Sequence, residues 1–367
     1  MKYKISEIGK VVGGGTPSTK HAEYYSKNGI AWITPKDLSD YHKKYIRHGA
    51  KDISEEGLKN SSAKLLPVDS ILVSSRAPIG YVAMAGTDLA TSQGFKSIVP
   101  NTSKVMPEYL YYLMLKSKDK LEQIASGSTF KEISGKGMSN FTVDIPELKE
   151  QKEIVQKLNP IFKKIEENDQ INDNLLDIAK NIYHRILFSS QITKTNLRSF
   201  ATVVMGQSPS SKTYNENKIG IPLLNGAADF RNGIHPSKWT TDPKIIVNKG
   251  AYIFGVRATI GLTAKVSKSY AIGRGTGSAI PKDVKNEEIL YFILNDMFKK
   301  FEQTESGSVY INISKNDFEN YRFNIPDRIG LLFFHEKVKP IMDQIYIYKK
   351  QNKILQAIKA ALLSKIF

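Results

Sequence analysis

The chain has 367 residues, 41% of them hydrophobic, enough to bury ordinary cores in two to three domains and to exclude a disordered polymer. Lysine and arginine total 53 against 36 aspartates and glutamates, and the formal net charge of +17 favours a polyanionic partner through phosphate neutralisation. The absence of cysteine excludes disulfides, zinc fingers and thiol nucleophiles, and the six histidines lack ligand spacing. No apolar run approaches the ~20 residues of a membrane-spanning helix, and the start, Met1-Lys-Tyr-Lys-Ile-Ser-Glu, has no signal-peptide core. A soluble, cytoplasmic protein is expected.

Taken in chain order, residues 1–146 read as a mixed α/β domain with short apolar runs such as 70–75 and an amphipathic helix over 107–125. From 147 to 188 the pattern turns helical, with Ile154, Leu158, Ile161, Ile165, Asn168, Asn172, Leu175, Ala179, Ile182 and Ile186 at 4,3 spacing. Residues 189–326 return to the mixed pattern, with an apolar run at 252–256 and a helix over 286–305. Residues 327–367 are again helical. Their apolar and polar layers, Phe334, Val338, Ile341, Ile345, Tyr348, Asn352, Leu355, Lys359, Leu362 and Ile366, repeat the first set displaced by 180.

The shared register predicts a coiled coil between the two helices, with Asn172 and Asn352 as an equivalent polar layer that either fixes register or simply breaks the seam to solvent. Val155, Phe162, Ile171 and Ile178 fall off the strict register and leave room for another subunit. Pro160 and Pro340 coincide, and Asn159-Pro160 reads as an N-cap followed by proline at the first helical position, so each helix is expected to start or kink there.

The domains repeat as well. Ile5–Ser18 aligns with Leu197–Ser210, matching Pro17 to Pro209. Ser75-Arg-Ala-Pro-Ile-Gly80 meets Val256-Arg-Ala-Thr-Ile-Gly261, Ala90–Ser97 meets Ala271–Ser278, and Ser126–Ser134 meets Ser306–Ser314. No phosphate-binding loop, H-E-x-x-H or G-x-S-x-G motif is present, and Gly273-Arg-Gly-Thr-Gly277 lacks the spacing of a dinucleotide fingerprint. The methyltransferase tetrad of Asn/Asp-Pro-Pro-Phe/Tyr is also missing, its nearest string being Asn159-Pro-Ile-Phe162. A non-catalytic reader of DNA is expected, against a rival reading as a basic coiled-coil scaffold without sequence preference.

Phosphate contacts would position such domains and base-edge contacts would give sequence choice. Arg76 and Arg257 occupy matching places after an apolar strand and suit phosphate, guanine or a structural hydrogen bond. Gln93 and Arg274 are matched positions that differ, as adenine and guanine readers would, or as drifting loop residues would; Lys96 follows in the same loop. Ser128, Thr129 and Lys131 with Lys136, and Ser308 and Tyr310 with Lys315, combine hydroxyls, an aromatic and lysines in loops fit either for DNA contact or for a helix-to-strand turn. Thr16, Ser18 and Lys20, with Ser208, Ser210 and Lys212, form a second pair of candidate backbone clamps or plain turns. Trp32 and Trp239 do not match across the repeat and read as local packing.

The alternation of domain, long helix, domain and long helix resembles the specificity subunits of type I restriction-modification systems over essentially the whole chain. So do the Gly-Gly-Thr-Pro-Ser18 turn, the Ser-Arg-Ala-Pro-Ile-Gly80 block and Ile145-Pro-Glu-Leu-Lys-Glu-Gln151. The second copy departs at Asp327-Arg-Ile-Gly-Leu331, which puts in doubt a role specific to Gln151. The resemblance implies two α/β (α+β) target-recognition domains in a pseudo-two-fold arrangement, separated by helices that form an antiparallel coiled coil. It further implies a split double-stranded DNA target and two docked methyltransferase subunits, to which restriction subunits can be added. S-adenosylmethionine, ATP and magnesium would be held by those partners and no cofactor by this chain.

Overall fold

The computed structural model describes residues 1–39, 41–127, 131–231, 233–256, 261–304 and 314–367. By its contacts the chain divides into two compact units, one of residues 1–170 with 349–367 and one of residues 171–348.

In the first unit a five-stranded sheet runs in the order Gly9–Gly13, Lys96–Pro100, Ile71–Ser75, Ile79–Ala85, Tyr45–Ile46. Its strand Ile71–Ser75 is buried on both faces, so it reads as a continuous apolar run ending in two serines rather than as an alternation. A four-stranded sheet, Tyr25–Ser26, Lys51–Ile53, Ile30–Ile33, Ala90–Thr91, ends in a parallel pair with Trp32 opposite Ala90. The helix Pro107–Lys116 begins with proline at its first turn, where no N–H is needed, and buries Tyr109 to Met114 against the larger sheet.

The second unit repeats this plan. The order Ala201–Met205, Thr276–Pro281, Tyr252–Gly255, Thr263–Lys265 reproduces four strands of the first large sheet. Tyr214–Asn215, Lys238–Thr240, Ile221–Leu224, Tyr270–Ile272 reproduces the smaller sheet, extended by Ile246–Val247. The parallel pair returns, with Leu223 opposite Ala271. The sequence repeat is therefore a repeat of topology, and the α/β expectation holds in both copies.

The long helices are Leu148–Ser189 and Arg328–Ile366. Both run through their prolines, so neither helix starts at Pro160 or Pro340. The two prolines lie on exposed faces, so water can satisfy the carbonyl each one leaves unbonded. Within each unit the helices pack antiparallel: Phe162 lies under Lys359 and Asn168 meets Asn352 in the first, and Tyr183 contacts Phe334 in the second.

Burial divides the expected seam positions. Leu158, Ile165, Asn172, Ile186, Phe334, Val338, Ile345 and Asn352 are buried, whereas Ile154, Ile161, Leu175, Ile182, Ile341, Leu355, Leu362 and Ile366 are half-buried. Val155 and Phe162 are not free for another subunit. Both are buried in the first unit's own core, where Phe162 packs on Tyr111 and Tyr112. Ile171 is half-buried and Ile178 is exposed.

The polar layer pairs Asn352 with Asn168. The Asn168 amide donates to Asn352 Oδ1 at 2.8 Å, and Asn352 Nδ2 donates to Asp169 Oδ1 at 2.7 Å and to the Ile165 carbonyl. Gln151 is fully buried and ties the start of its helix to the loop before Pro107, accepting from Met106 N and donating to the carbonyls of Lys104 and Pro146. These bonds give it a structural role in the first copy, where the second copy has Leu331. Burial lowers the lysine pKa of Lys44, whose ammonium donates to Asn159 Oδ1 at 3.0 Å, against the opposing pull of Glu108 and Glu166.

Candidate nucleic-acid interface

In the first unit two loops are locked together through backbone. Gly15 N donates to Thr91 O at 2.8 Å and Gly14 N to Phe95 O at 3.3 Å. A Cβ on Gly14 would lie 2.0 Å from Ser92 O, so a side chain there would force the loops apart. Trp32 Nε1 donates to Gly15 O at 2.9 Å and Tyr25 OH to Pro17 O at 2.8 Å. Trp32 is thus more than core packing, since it fixes the outgoing loop. The result is that Thr16, Ser18 and Lys20, all exposed, stand on a loop held against the one that exposes Gln93.

Ser75 joins this pair to the remaining candidates. Its N–H and hydroxyl donate to Gly94 O, next to Gln93, and its carbonyl accepts from Ile133 N at 3.0 Å. Glu132 then bridges two cations, Lys96 Nζ at 3.1 Å and Arg76 Nη1 at 3.4 Å. Lys131 and Lys136 are exposed, the latter on the short helix Gly135–Asn140 capped by Ser134.

The second unit builds the same frame from different residues. Gly206 N donates to Thr276 O at 2.9 Å, a Cβ on Gly206 would lie 2.1 Å from Gly273 O, and Tyr214 OH donates to Pro209 O at 3.2 Å. Ser208 Oγ accepts from Arg274 N at 3.2 Å, which brings two predicted residues into direct contact. Ser210, Lys212 and Arg274 are exposed. Lys315 is exposed and ion-paired with Glu319 in a helix capped by Ser314, whose hydroxyl and N–H hold the Asp317 carboxyl below the usual carboxylate range. No hydrogen bond or ion pair among the described residues joins Lys136 or Lys315 to the loops of Gln93 and Arg274. Ser128, Thr129, Arg257, Ser308 and Tyr310 lie outside the described residues.

Sequence reasoning missed Glu132, Thr34 and Asn225. Glu132 is 56 residues from Arg76 in sequence, so no local pattern announces it. Thr34 and Asn225 follow equivalent strands, but three residues separate Thr34 from Asp37 and four separate Asn225 from Asp229, which breaks the alignment. The described residues hold no grouping suited to a metal ion, and none of their helices is long and apolar enough to cross a membrane.

The family model for the type I restriction modification DNA specificity domain matches residues 1–176 and again residues 190–360, so the protein is of the class that recognises DNA through a duplicated domain. The chain belongs to the specificity subunits of type I restriction-modification systems, whose role is non-catalytic DNA recognition. It is 31% identical to the type I restriction enzyme MjaIX specificity subunit of Methanocaldococcus jannaschii, over 99% of this chain and 91% of that protein. It is 29% identical to the EcoR124I/EcoR124II specificity subunit of Escherichia coli over 42% of this chain and 39% of that one. The crystal structure of the S subunit from M. genitalium superposes with a TM-score of 0.60 at 15% identity, covering 100% of this chain and 96% of that one, which is agreement of fold.

Proposed function

We propose that the chain reads a split double-stranded DNA target in the cytoplasm, one half with each domain, and docks two methyltransferase subunits. Restriction subunits join the same assembly. S-adenosylmethionine, ATP and magnesium are held by those partners, and this chain supplies sequence choice alone.

The observation that carries this reading is the pair of equivalent loop frames with different exposed tips. Glycines at 14 and 206 and tyrosines at 25 and 214 hold the same backbone arrangement, while the projecting residue is Gln93 in one copy and Arg274 in the other. A fixed frame with a variable tip is what two related domains need to read different bases, since glutamine suits adenine and arginine suits guanine in the major groove. The charge of +17 supplies the sequence-independent attraction to phosphate.

The test is methylated-base sequencing of DNA from a methylation-deficient host expressing this chain with the methyltransferase encoded beside it. In a second culture residues 1–146 come from a relative. A split motif whose first half alone changes with the exchange is expected. Absence of any motif, or a motif indifferent to the exchange, would leave a basic scaffold as the better description.

A further inference from the structure

Asn225 closes a strand in the second unit and is held from several sides. Its N–H donates to Asp229 Oδ2 at 2.8 Å, and its carbonyl accepts from Gly275 N at 3.2 Å. Its Oδ1 accepts from the Ser208 hydroxyl at 3.1 Å, and the Ser208 oxygen in turn accepts from Arg274 N. A Cβ on Gly273 would lie only 2.0 Å from that same Oδ1, so the amide occupies space that any other residue at 273 would fill. Asn225 and Arg274 are both exposed. The amide is therefore fixed in place while its Nδ2 and the second lone pair of Oδ1 stay free for an incoming group.

The first unit does not build this arrangement. Strand pairing makes Thr34 the counterpart of Asn225, since Ile33 pairs with Thr91 as Leu224 pairs with Ile272. Thr34 spends its hydroxyl on Asp37 Oδ2 at 2.6 Å, and the place of Gly273 is taken by Ser92, which carries a Cβ. Glycine and asparagine thus occur together in one copy, serine and threonine in the other, as a steric exchange requires.

We propose that Asn225 is a base-reading residue of the second domain, presenting its amide to the N6 and N7 edge of an adenine. Arg274 reads a neighbouring guanine, and Ser208 positions both. An amide with one donor and one acceptor matches adenine in the major groove, and an arginine fork matches guanine. Prior fixation by Ser208 and Gly273 removes rotamer freedom that binding would otherwise have to remove. The assignment rests on the reading of the chain as a two-half DNA reader.

The test is the methylated-base sequencing above, applied to Asn225→Ala, Asn225→Asp, Gly273→Ala and Ser208→Ala. Asn225→Asp keeps the shape and the Ser208 bond but loses the donor. Gly273→Ala leaves Asn225 in the sequence and displaces its amide. All but Ser208→Ala are expected to relax the same single position in the second half of the motif about tenfold or more, with the first half unchanged; Ser208→Ala relaxes it less. An unaltered motif in Asn225→Asp and Gly273→Ala would overturn the assignment. So would equal loss of methylation at every site with no position relaxed, because that marks a phosphate contact or a folding role. A wild-type complex that methylates no split motif would overturn the reading of function itself, and the residue assignment with it.

Discussion

Arg76 and Lys96 are the two cations of the first domain whose surroundings differ from those of the other candidates, because they share Glu132. The carboxylate sits 3.1 Å from Lys96 Nζ and 3.4 Å from Arg76 Nη1, with Arg76 and Glu132 each about a third exposed. The second copy has Gly277 at the place of Lys96 and Asn312 at that of Glu132, so only the first domain carries this cluster. The partly exposed Arg76–Glu132 pair contributes about 0–1 kcal/mol, whereas the Lys96 side chain is only 15% exposed. Glu132→Gln keeps an acceptor oxygen beside Lys96 and should keep the protein folded while freeing Arg76 for phosphate. Apparent DNA affinity should rise at low salt, and the slope of log K against log salt should steepen by about 0.9 as Arg76 reaches a phosphate. Fluorescence anisotropy across a salt series measures this. An unchanged slope would assign Arg76 to structure. At this scale the sequence showed which positions match across the repeat, because insertions are few, but it could not show which side chains neutralise one another, since the partner lies on a distant loop.

At the scale of the element, the long helices were legible because a helical period sustained over some forty residues has few other interpretations. Their starts were not legible from the prolines, because a proline on an outward face, whose freed carbonyl can reach water, need not end a helix that packing holds on both sides. The off-register Val155 and Phe162 were assigned to a partner because periodicity does not reveal that the helix also packs on its own domain, through Tyr111 and Tyr112. The asparagine layer was visible, but its pairing was not: Asn352 meets Asn168, one turn from its counterpart Asn172. Asn352→Leu removes the hydrogen bonds that Asn352 makes with Asp169, the Ile165 carbonyl and the buried Asn168 amide, and should cost the first unit about 1–3 kcal/mol. The double change Asn168→Leu with Asn352→Leu also removes the buried Asn168 Oδ1, which has no hydrogen-bond partner. It should recover the part of that loss that falls on Asn168, at the expense of register. Thermal melting of the two variants decides it; equal destabilisation of both would mean that the layer is worth more than its hydrophobic replacement.

At the scale of the whole chain, the two units do not coincide with two halves of the sequence. The first unit takes residues 1–170 and then the last stretch, 349–367. Leu363 is buried in the same core as Val155 and Leu158, with Leu362, Ile366 and Phe367 packed against it. Phe367 lies 5.4 Å from Tyr109 between ring centres, and Lys116 Nζ donates to Ser364 Oγ at 3.1 Å. Residues 349–367 therefore complete the core of a unit otherwise built from residues 1–170. At about 1.5–3 kcal/mol for a fully buried aliphatic or aromatic side chain, this one full and three partial burials amount to about 5 kcal/mol, a large share of the ~5–15 kcal/mol that holds a typical domain. Ending the chain after Tyr348 should consequently weaken the unit at the opposite end of the sequence from the cut. Hydrogen exchange read by mass spectrometry should show Ile71–Ser75 and Pro107–Lys116 losing protection while Tyr252–Gly255 keeps it, because the second core draws on none of the removed residues. Equal loss in both units would mean that they fold as one cooperative body, and no loss in either would mean that the terminal helix adds little to the first core. In a complex that still methylates DNA, the selective outcome carries a functional signature as well: the first half of the target is lost before the second.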